Sequence, residues 1–312
     1  MVRLIPLIFF LLGYTNIFGQ DQSGLLSNQE TDSLVLQYCV ALDNTYFNKT
    51  KSTEIIDVLK NKLKKGDFYN VTQLTDRLSL LVRELTNDIH FYIGKSIDEE
   101  KLNTSKKDEI VFDNSGFAEA RVIEKSIGYI KWNEFIADDV SFAKAINALN
   151  FINGCKYLIF DISECPGGDG RIGGFVLRHL FENDDYQDLL VKKCTGDIDW
   201  VQSEVAYHYT NGPKFHNIPI YVITSKNTGS AAEYFALTLS EMKRATLLGA
   251  NTAGAGNPVT IVYFGNYFAY IPICEIETKD GKSIEGKGVR PDYLLSSKDW
   301  VNETVEFIKK HH

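Results

Sequence analysis

Apolar positions along the chain fall into two textures. From residue 20 to about 95 they recur at helical spacing. Ser33-Leu-Val-Leu-Gln-Tyr-Cys-Val-Ala-Leu42, Glu54-Ile-Ile-Asp-Val-Leu-Lys-Asn-Lys-Leu63 and Val71 to Leu85 each predict an amphipathic helix, the third with Thr72 as its cap. Residues 94 to 110 are polar and rich in lysine, which predicts a linker or exposed hairpin loop. From about 110 the pattern becomes continuous apolar runs alternating with helical segments. Ile127-Gly-Tyr-Ile-Lys-Trp132, Lys156-Tyr-Leu-Ile-Phe-Asp-Ile162 and Ile218-Pro-Ile-Tyr-Val-Ile-Thr224 read as strands, the latter two buried on both faces. Helices are predicted over Ser141 to Ile152, Ile172 to Leu180 and Ala231 to Met242, and an antiparallel pair over 259–264 and 267–276. Strand and helix in succession predict stacked βαβ units with a parallel sheet. The expected division is 20–95 as an N-terminal helical subdomain, 96–115 as linker or hairpin, and 116–312 as an α/β domain with a C-terminal helix.

The first residues change the picture of location. Met1-Val-Arg3 is basic, Leu4 to Leu12 is almost wholly apolar, and Gly13 to Gly19 leads into polar Gln20-Asp21-Gln22-Ser23. This is the layout of a signal peptide over 1–19, too short to span a bilayer, and it predicts a secreted or periplasmic protein. No later stretch is apolar enough for an integral membrane segment. The chain of 312 residues has 44% hydrophobic and 24% charged residues and a net charge of −8, with both signs interspersed. That fits an ordinary soluble domain and disfavours a nucleic-acid surface. Five cysteines, at 39, 155, 165, 194 and 274, form no CxxC or Cys/His cluster. Metal ligation is therefore not expected, and no disulfide framework is readable. Sequons start at Asn48, Asn70, Asn103 and Asn302.

The chemistry centres on Ser230. It stands in Asn227-Thr-Gly-Ser-Ala-Ala-Glu233, where the 218–224 strand passes through small residues into a helix. Free N–H groups at a helix start favour an oxyanion, so this is where a nucleophile can be mounted; the alternative is an N-cap serine. Nucleophilic serine chemistry needs a base, a group to orient it and oxyanion donors. His90, between a helix and the strand-like Phe91-Tyr-Ile93, is the candidate base. His179, His208 and His216 lack such a setting. The Ala231 N–H follows the serine directly, and Gly167-Gly168 ends the 156–162 strand, which should neighbour the 218–224 strand. Glu285 is the candidate orienting acid; Asp292, beside Pro291, is a second candidate that more readily fixes a turn. No phosphate-loop sequence accompanies the glycines.

Six segments in order resemble one family: Asp88-Ile-His90, Ile127-Gly-Tyr-Ile130, Asp161 to Gly168, Thr228-Gly-Ser-Ala-Ala-Glu233, Arg244 to Gly254, and Glu285-Gly-Lys-Gly-Val-Arg-Pro-Asp292. The family joins the tail-specific (C-terminal processing) peptidases, the tricorn protease core and the interphotoreceptor retinoid-binding protein modules. The resemblance spans about residues 30 to 297 and implies a ClpP/crotonase-like α/β core with Ser230 as nucleophile. The tail-processing branch places a lysine base where Ala255 stands here, so the resemblance points to the histidine–glutamate arrangement of the tricorn-like branch, with His90 and Glu285. Ala231 and Gly167 or Gly168 are the implied oxyanion donors. The chain departs from the family's common Asp-Leu-Arg-x-Asn-x-Gly-Gly pattern, with Ser163 and Cys165 in place of Arg and Asn. The resemblance also extends to the helical 30–90 region, which looks like the N-terminal part of the retinoid-binding-protein-like branch. Between Tyr92 and Gly128 there is no room for a PDZ domain of about 80–100 residues, so the substrate-tail recognition which that domain gives relatives is not expected. The implied function is a serine peptidase acting on a peptide or unfolded protein without metal or cofactor. The alternative is a non-catalytic binder of hydrophobic ligands on the same fold. An oligomer is left open.

Overall fold

The structure is a computed structural model that describes residues 25–96, 115–124, 126–203 and 211–312. The leader-like 1–19 segment, most of the expected 96–115 loop, the Asn103 sequon and His208 lie outside the described residues.

The central sheet has six strands in the order β12-β8-β7-β4-β3-β2. These are β2 (Phe117–Ile123), β3 (Ile127–Trp132), β4 (Tyr157–Asp161), β7 (Ile220–Thr224), β8 (Thr246–Gly249) and β12 (Tyr293–Leu294). All neighbours are parallel except β2 and β3. The apolar run Ile220-Tyr-Val-Ile223 of β7 is explained by burial of all five residues of the strand. On one face lie the helices α4 (Asp139–Phe151), α5 (Gly170–Leu180) and α6 (Ala231–Glu241), sharing a core built on Trp132, Phe135, Phe175 and Phe235. Helix α7 (Trp300–His311) covers the other face through Val305 and Ile308. This is the expected α/β arrangement of ClpP/crotonase-like type, and β4 does pair with β7, Asp161 opposite Ile223.

Three helices precede it: α1 (Asn28–Thr45), α2 (Lys49–Lys64) and α3 (Leu74–Thr86). Thr72 does not cap α3; the N-cap is Gln73, in a left-handed conformation at φ 54° with no side-chain cap bond. These helices share a core with β1 (Tyr92–Lys95), β9 (Val259–Phe264) and β10 (Tyr267–Pro272), an antiparallel sheet in the order β1-β10-β9. Its inner residues Ile93, Ala269 and Ile271 are fully buried against the helices. Strands from the far end of the chain thus complete the N-terminal core, and His90 sits at the seam between α3 and β1.

The expected 267–276 strand is two strands. Pro272 has no N–H to continue the ladder, and the chain turns there. β11 (Cys274–Thr278) leaves to pair with β5 (Leu190–Cys194), which also pairs with the short β6 (Val201–Gln202). Cys194 and Cys274 lie opposite each other in that ladder and form a disulfide, while Cys39, Cys155 and Cys165 are free. Among the described residues no helix is long and apolar enough to cross a membrane.

Candidate active site

Two turns meet at the carboxyl end of the sheet. β4 runs through Pro166-Gly167-Gly168 into α5, and β7 runs through Thr228-Gly229-Ser230 into α6. They are tied by the Gly229 N–H to the Cys165 carbonyl at 3.0 Å, and by the Thr228 hydroxyl to the Ile162 carbonyl at 2.8 Å. Gly167 has φ +106°, and a Cβ added there would lie 2.8 Å from Ser230 Cβ and 3.0 Å from the Ala231 nitrogen. Only glycine lets the turn come so close. Gly168, at φ +128°, packs on the Phe135 carbonyl instead.

Ser230 is held at φ 52° and ψ −125°, a conformation that costs a non-glycine residue about 1–3 kcal/mol. The strain is maintained by Glu233, fully buried one turn on, whose Oε2 accepts the Ser230 N–H at 2.9 Å. The same carboxylate accepts from Ala255 N–H at 2.7 Å, Gly254 N–H at 2.8 Å and the Thr252 hydroxyl. Burial pushes its carboxyl above the ordinary range, against the pull of these bonds. Ala231 is the first residue of α6, so its N–H has no partner within the helix. Ser230 and Ala231 open onto a cavity of about 230 Å³ walled by Leu177, Leu190, Phe235, Val259 and Ile276.

A second cluster lies beyond Gly256, which lines the same cavity. Gly256 and Asn257 donate their N–H groups to Glu285 Oε2 at 2.6 and 2.8 Å. The Asn257 amide donates to Asp88 Oδ2 at 2.9 Å. His90 Nδ1 lies 3.2 Å from Asp88 Oδ1, which also accepts the His90 N–H at 2.9 Å. One ligating atom from each of Asp88, His90 and Glu285 falls within 4.8 Å of the others. Within this cluster Asp88 bonds His90, and Glu285 bonds backbone amides. Burial first, and the Asp88 carboxylate second, push Glu285 up to about 8.

The structure therefore brings Ser230, Ala231 and Gly167 together, and separately His90 with Glu285; the 254–257 loop joins the two groups. The hydrogen bond at His90 Nδ1 is to Asp88 rather than to Glu285. Asp88 was not singled out from sequence, although the Asp-x-His spacing, in which the side chain can bond the N–H two residues on, was a signal. Asp292 is structural: it exchanges two bonds with Leu247, both 2.8 Å. His179 is buried on the Pro213 carbonyl.

The family model for peptidase family S41 matches residues 126–295, which include the glycine turn, Ser230 and Glu285. The chain belongs to this family. S41 relatives include a probable CtpA-like serine protease of Staphylococcus epidermidis, 20% identical over 298 residues. That match covers 86% of this chain and 59% of the relative. The carboxy-terminal processing protease CtpB of Bacillus subtilis is 27% identical over 201 residues, covering 63% of this chain and 40% of its own length. The chain thus spans about three-fifths or less of these S41 relatives. Among solved structures, a putative peptidase from Parabacteroides merdae superposes with a TM-score of 0.62 at 17% identity, over 91% of this chain and 96% of that one. That likeness carries the fold.

Proposed function

We propose that this S41 member is an exported serine peptidase. Ser230 Oγ attacks a peptide carbonyl and passes its proton to His90; the Oγ–carbon bond forms as the carbonyl oxygen becomes an oxyanion. The N–H groups of Ala231 and of a glycine in the Gly167-Gly168 turn receive that charge. On collapse the carbon–nitrogen bond breaks, and the imidazolium returns the proton to the leaving amine. A water molecule, activated by His90, then releases the acyl group. No metal enters these steps.

The observation that carries this reading is the strained Ser230 at a helix start, with a glycine turn packed on its Cβ and an apolar cavity beside it. A serine serving only as a cap needs neither the strain nor the glycine. The cavity suits one apolar side chain of an extended peptide. Its volume of about 230 Å³ is below the range of roughly 300–1,000 Å³ usual for small-molecule pockets. That weighs against the alternative of a lipid or retinoid carrier. Names of relatives suggest processing near carboxyl termini. Export is supported by the leader-like start and by the Cys194–Cys274 disulfide, which suits an oxidising compartment.

The test is labelling with a fluorophosphonate probe, paired with hydrolysis of a peptide library by wild type and Ser230→Ala. Modification of Ser230 and loss of hydrolysis in the variant are expected. Equal hydrolysis by both, or lipid co-purifying with an unreactive Ser230, overturns the reading.

A further inference from the structure

We propose that Asp88, rather than Glu285, is the carboxylate that positions the His90 imidazole, fixing its proton on Nδ1 so that Nε2 is the proton acceptor. This rests on the serine-peptidase reading for its catalytic meaning; the tautomer it specifies is a property of the resting protein.

The geometry distinguishes the two acids. Asp88 Oδ1 is 3.2 Å from His90 Nδ1, and the two side chains are 2% and 1% exposed. Asp88 Oδ1 also takes the His90 N–H, and its Oδ2 takes the Asn257 amide, so the carboxylate cannot swing away from the ring. Glu285 spends its Oε2 on the amides of Gly256 and Asn257, and its buried Oε1 has no hydrogen-bond partner among the described residues. A buried, unpartnered oxygen suits a protonated acid better than a carboxylate.

Charge balance points the same way. Two carboxylates this close to one imidazole in a buried site cannot both be ionised cheaply. The surrounding titratable and charged groups are Arg83 and His90 near Asp88, Tyr46 from the end of α1, Glu233 and Tyr234 from α6, and Glu275 from β11. Among the described residues acids outnumber cations there, in keeping with the upward push on Glu285. With Glu285 neutral, Asp88 holds the single negative charge beside the ring. When His90 takes the serine proton, Asp88 and the imidazolium neutralise each other without further rearrangement.

Asp88→Asn preserves the turn, since an amide oxygen still accepts the His90 N–H, and rotation of the Asn257 amide offers Oδ1 to the new NH2. The measurements are the pH profile of Ser230 labelling and the nitrogen NMR of the His90 ring. In wild type the neutral ring is expected as the Nδ1–H tautomer. Asp88→Asn leaves an oxygen facing Nδ1, so the Nδ1–H tautomer is expected to persist, while loss of the charge that balances the imidazolium is expected to slow labelling by about 10²-fold or more. Glu285→Gln, which mimics the protonated acid, is expected to keep the wild-type tautomer and to lose at least tenfold less rate than Asp88→Asn. An Nε2–H tautomer in wild type overturns the proposal even if Asp88→Asn fails to fold. So does a rate loss in Glu285→Gln equal to that in Asp88→Asn. Absence of Ser230 labelling in wild type defeats the peptidase reading, while the NMR result still decides the role of Asp88.

Discussion

The Ala255 N–H donates to Glu233 Oε2 at 2.7 Å, the same oxygen that accepts the Ser230 N–H at 2.9 Å. One buried carboxylate thus fixes both the strained serine and the loop that leads to Glu285. Its four donors come from Ser230, Thr252, Gly254 and Ala255. Glu233→Gln keeps one oxygen and replaces the other by an NH2 that faces donors. Each buried donor left unpaired costs about 1–3 kcal/mol. The expected result is a fall in urea-unfolding stability of about 3 kcal/mol, with slower Ser230 labelling of the remaining folded protein. Unchanged labelling by folded Glu233→Gln would show that the serine holds its conformation without this brace.

Gly167 allows a clean separation of strain from obstruction. At φ +106°, an added Cβ would meet the Gly229 carbonyl oxygen at 2.6 Å, Ser230 Cβ at 2.8 Å and the Ala231 nitrogen at 3.0 Å. Gly154, at φ +90°, has nothing among the described residues within 4 Å of its added Cβ. Both alanine variants carry positive-φ strain of about 1–2 kcal/mol. Only Gly167→Ala displaces the two turns and, with them, the Ala231 N–H that the proposed mechanism assigns to the oxyanion. Its labelling rate, corrected for folded fraction, is expected to fall about 10²–10³-fold, the usual loss for one oxyanion donor. Gly154→Ala is expected to keep the wild-type rate.

Much of this arrangement was legible in the amino-acid pattern, for identifiable reasons. Strands β4 and β7 are buried on both faces, so their apolar runs are unbroken, and the small-residue turns after them stand out. Ser230, Ala231 and Gly167 come together because adjacent parallel strands deliver their turns to one edge. Asp88 was less visible. Its role depends on a hydrogen bond to a ring two residues away and on Asn257, 169 positions distant in the chain. The split of 267–276 into β10 and β11 turns on Pro272, a single residue in a stretch whose other residues, Glu275 apart, are apolar. The Cys194–Cys274 bond follows from that split, which no spacing rule announces.

That disulfide joins strands that also form a wall of the cavity. Cys194 and Cys274 are directly opposed between β5 and β11, and Leu190 and Ile276 of those strands face the space beside Ser230. The bond closes a loop of 80 residues. Loop entropy of that length sets a ceiling of about 4.5 kcal/mol, and measured disulfides give about 2–4 kcal/mol. Cys194→Ser with Cys274→Ser is expected to lower stability by that smaller amount. Loosening the wall should raise KM for peptides with a bulky apolar residue more than it lowers kcat. A fall in kcat at constant KM would place the effect at the serine instead.

Glu285 gives stability an unusual pH dependence. Its carboxyl is pushed from an ordinary value of 4.5 to about 8, by burial and then by Asp88. Below 4.5 the acid is protonated in both folded and unfolded chains and contributes no slope. Between 4.5 and about 8 the folded protein keeps a proton that the unfolded chain has released, so raising the pH favours unfolding. Above that window the full cost of an ionised Glu285 is present. Other groups titrate over the same range, so the quantity to follow is the difference between wild type and Glu285→Gln, which cannot ionise. Urea midpoints at fixed ionic strength are expected to show the variant gaining on wild type steadily from pH 5 to pH 8. A constant difference over that range would mean that Glu285 titrates with an ordinary affinity for its proton. The buried pair would then carry two negative charges at neutral pH, and the single-charge account of Asp88 beside His90 would fail with it.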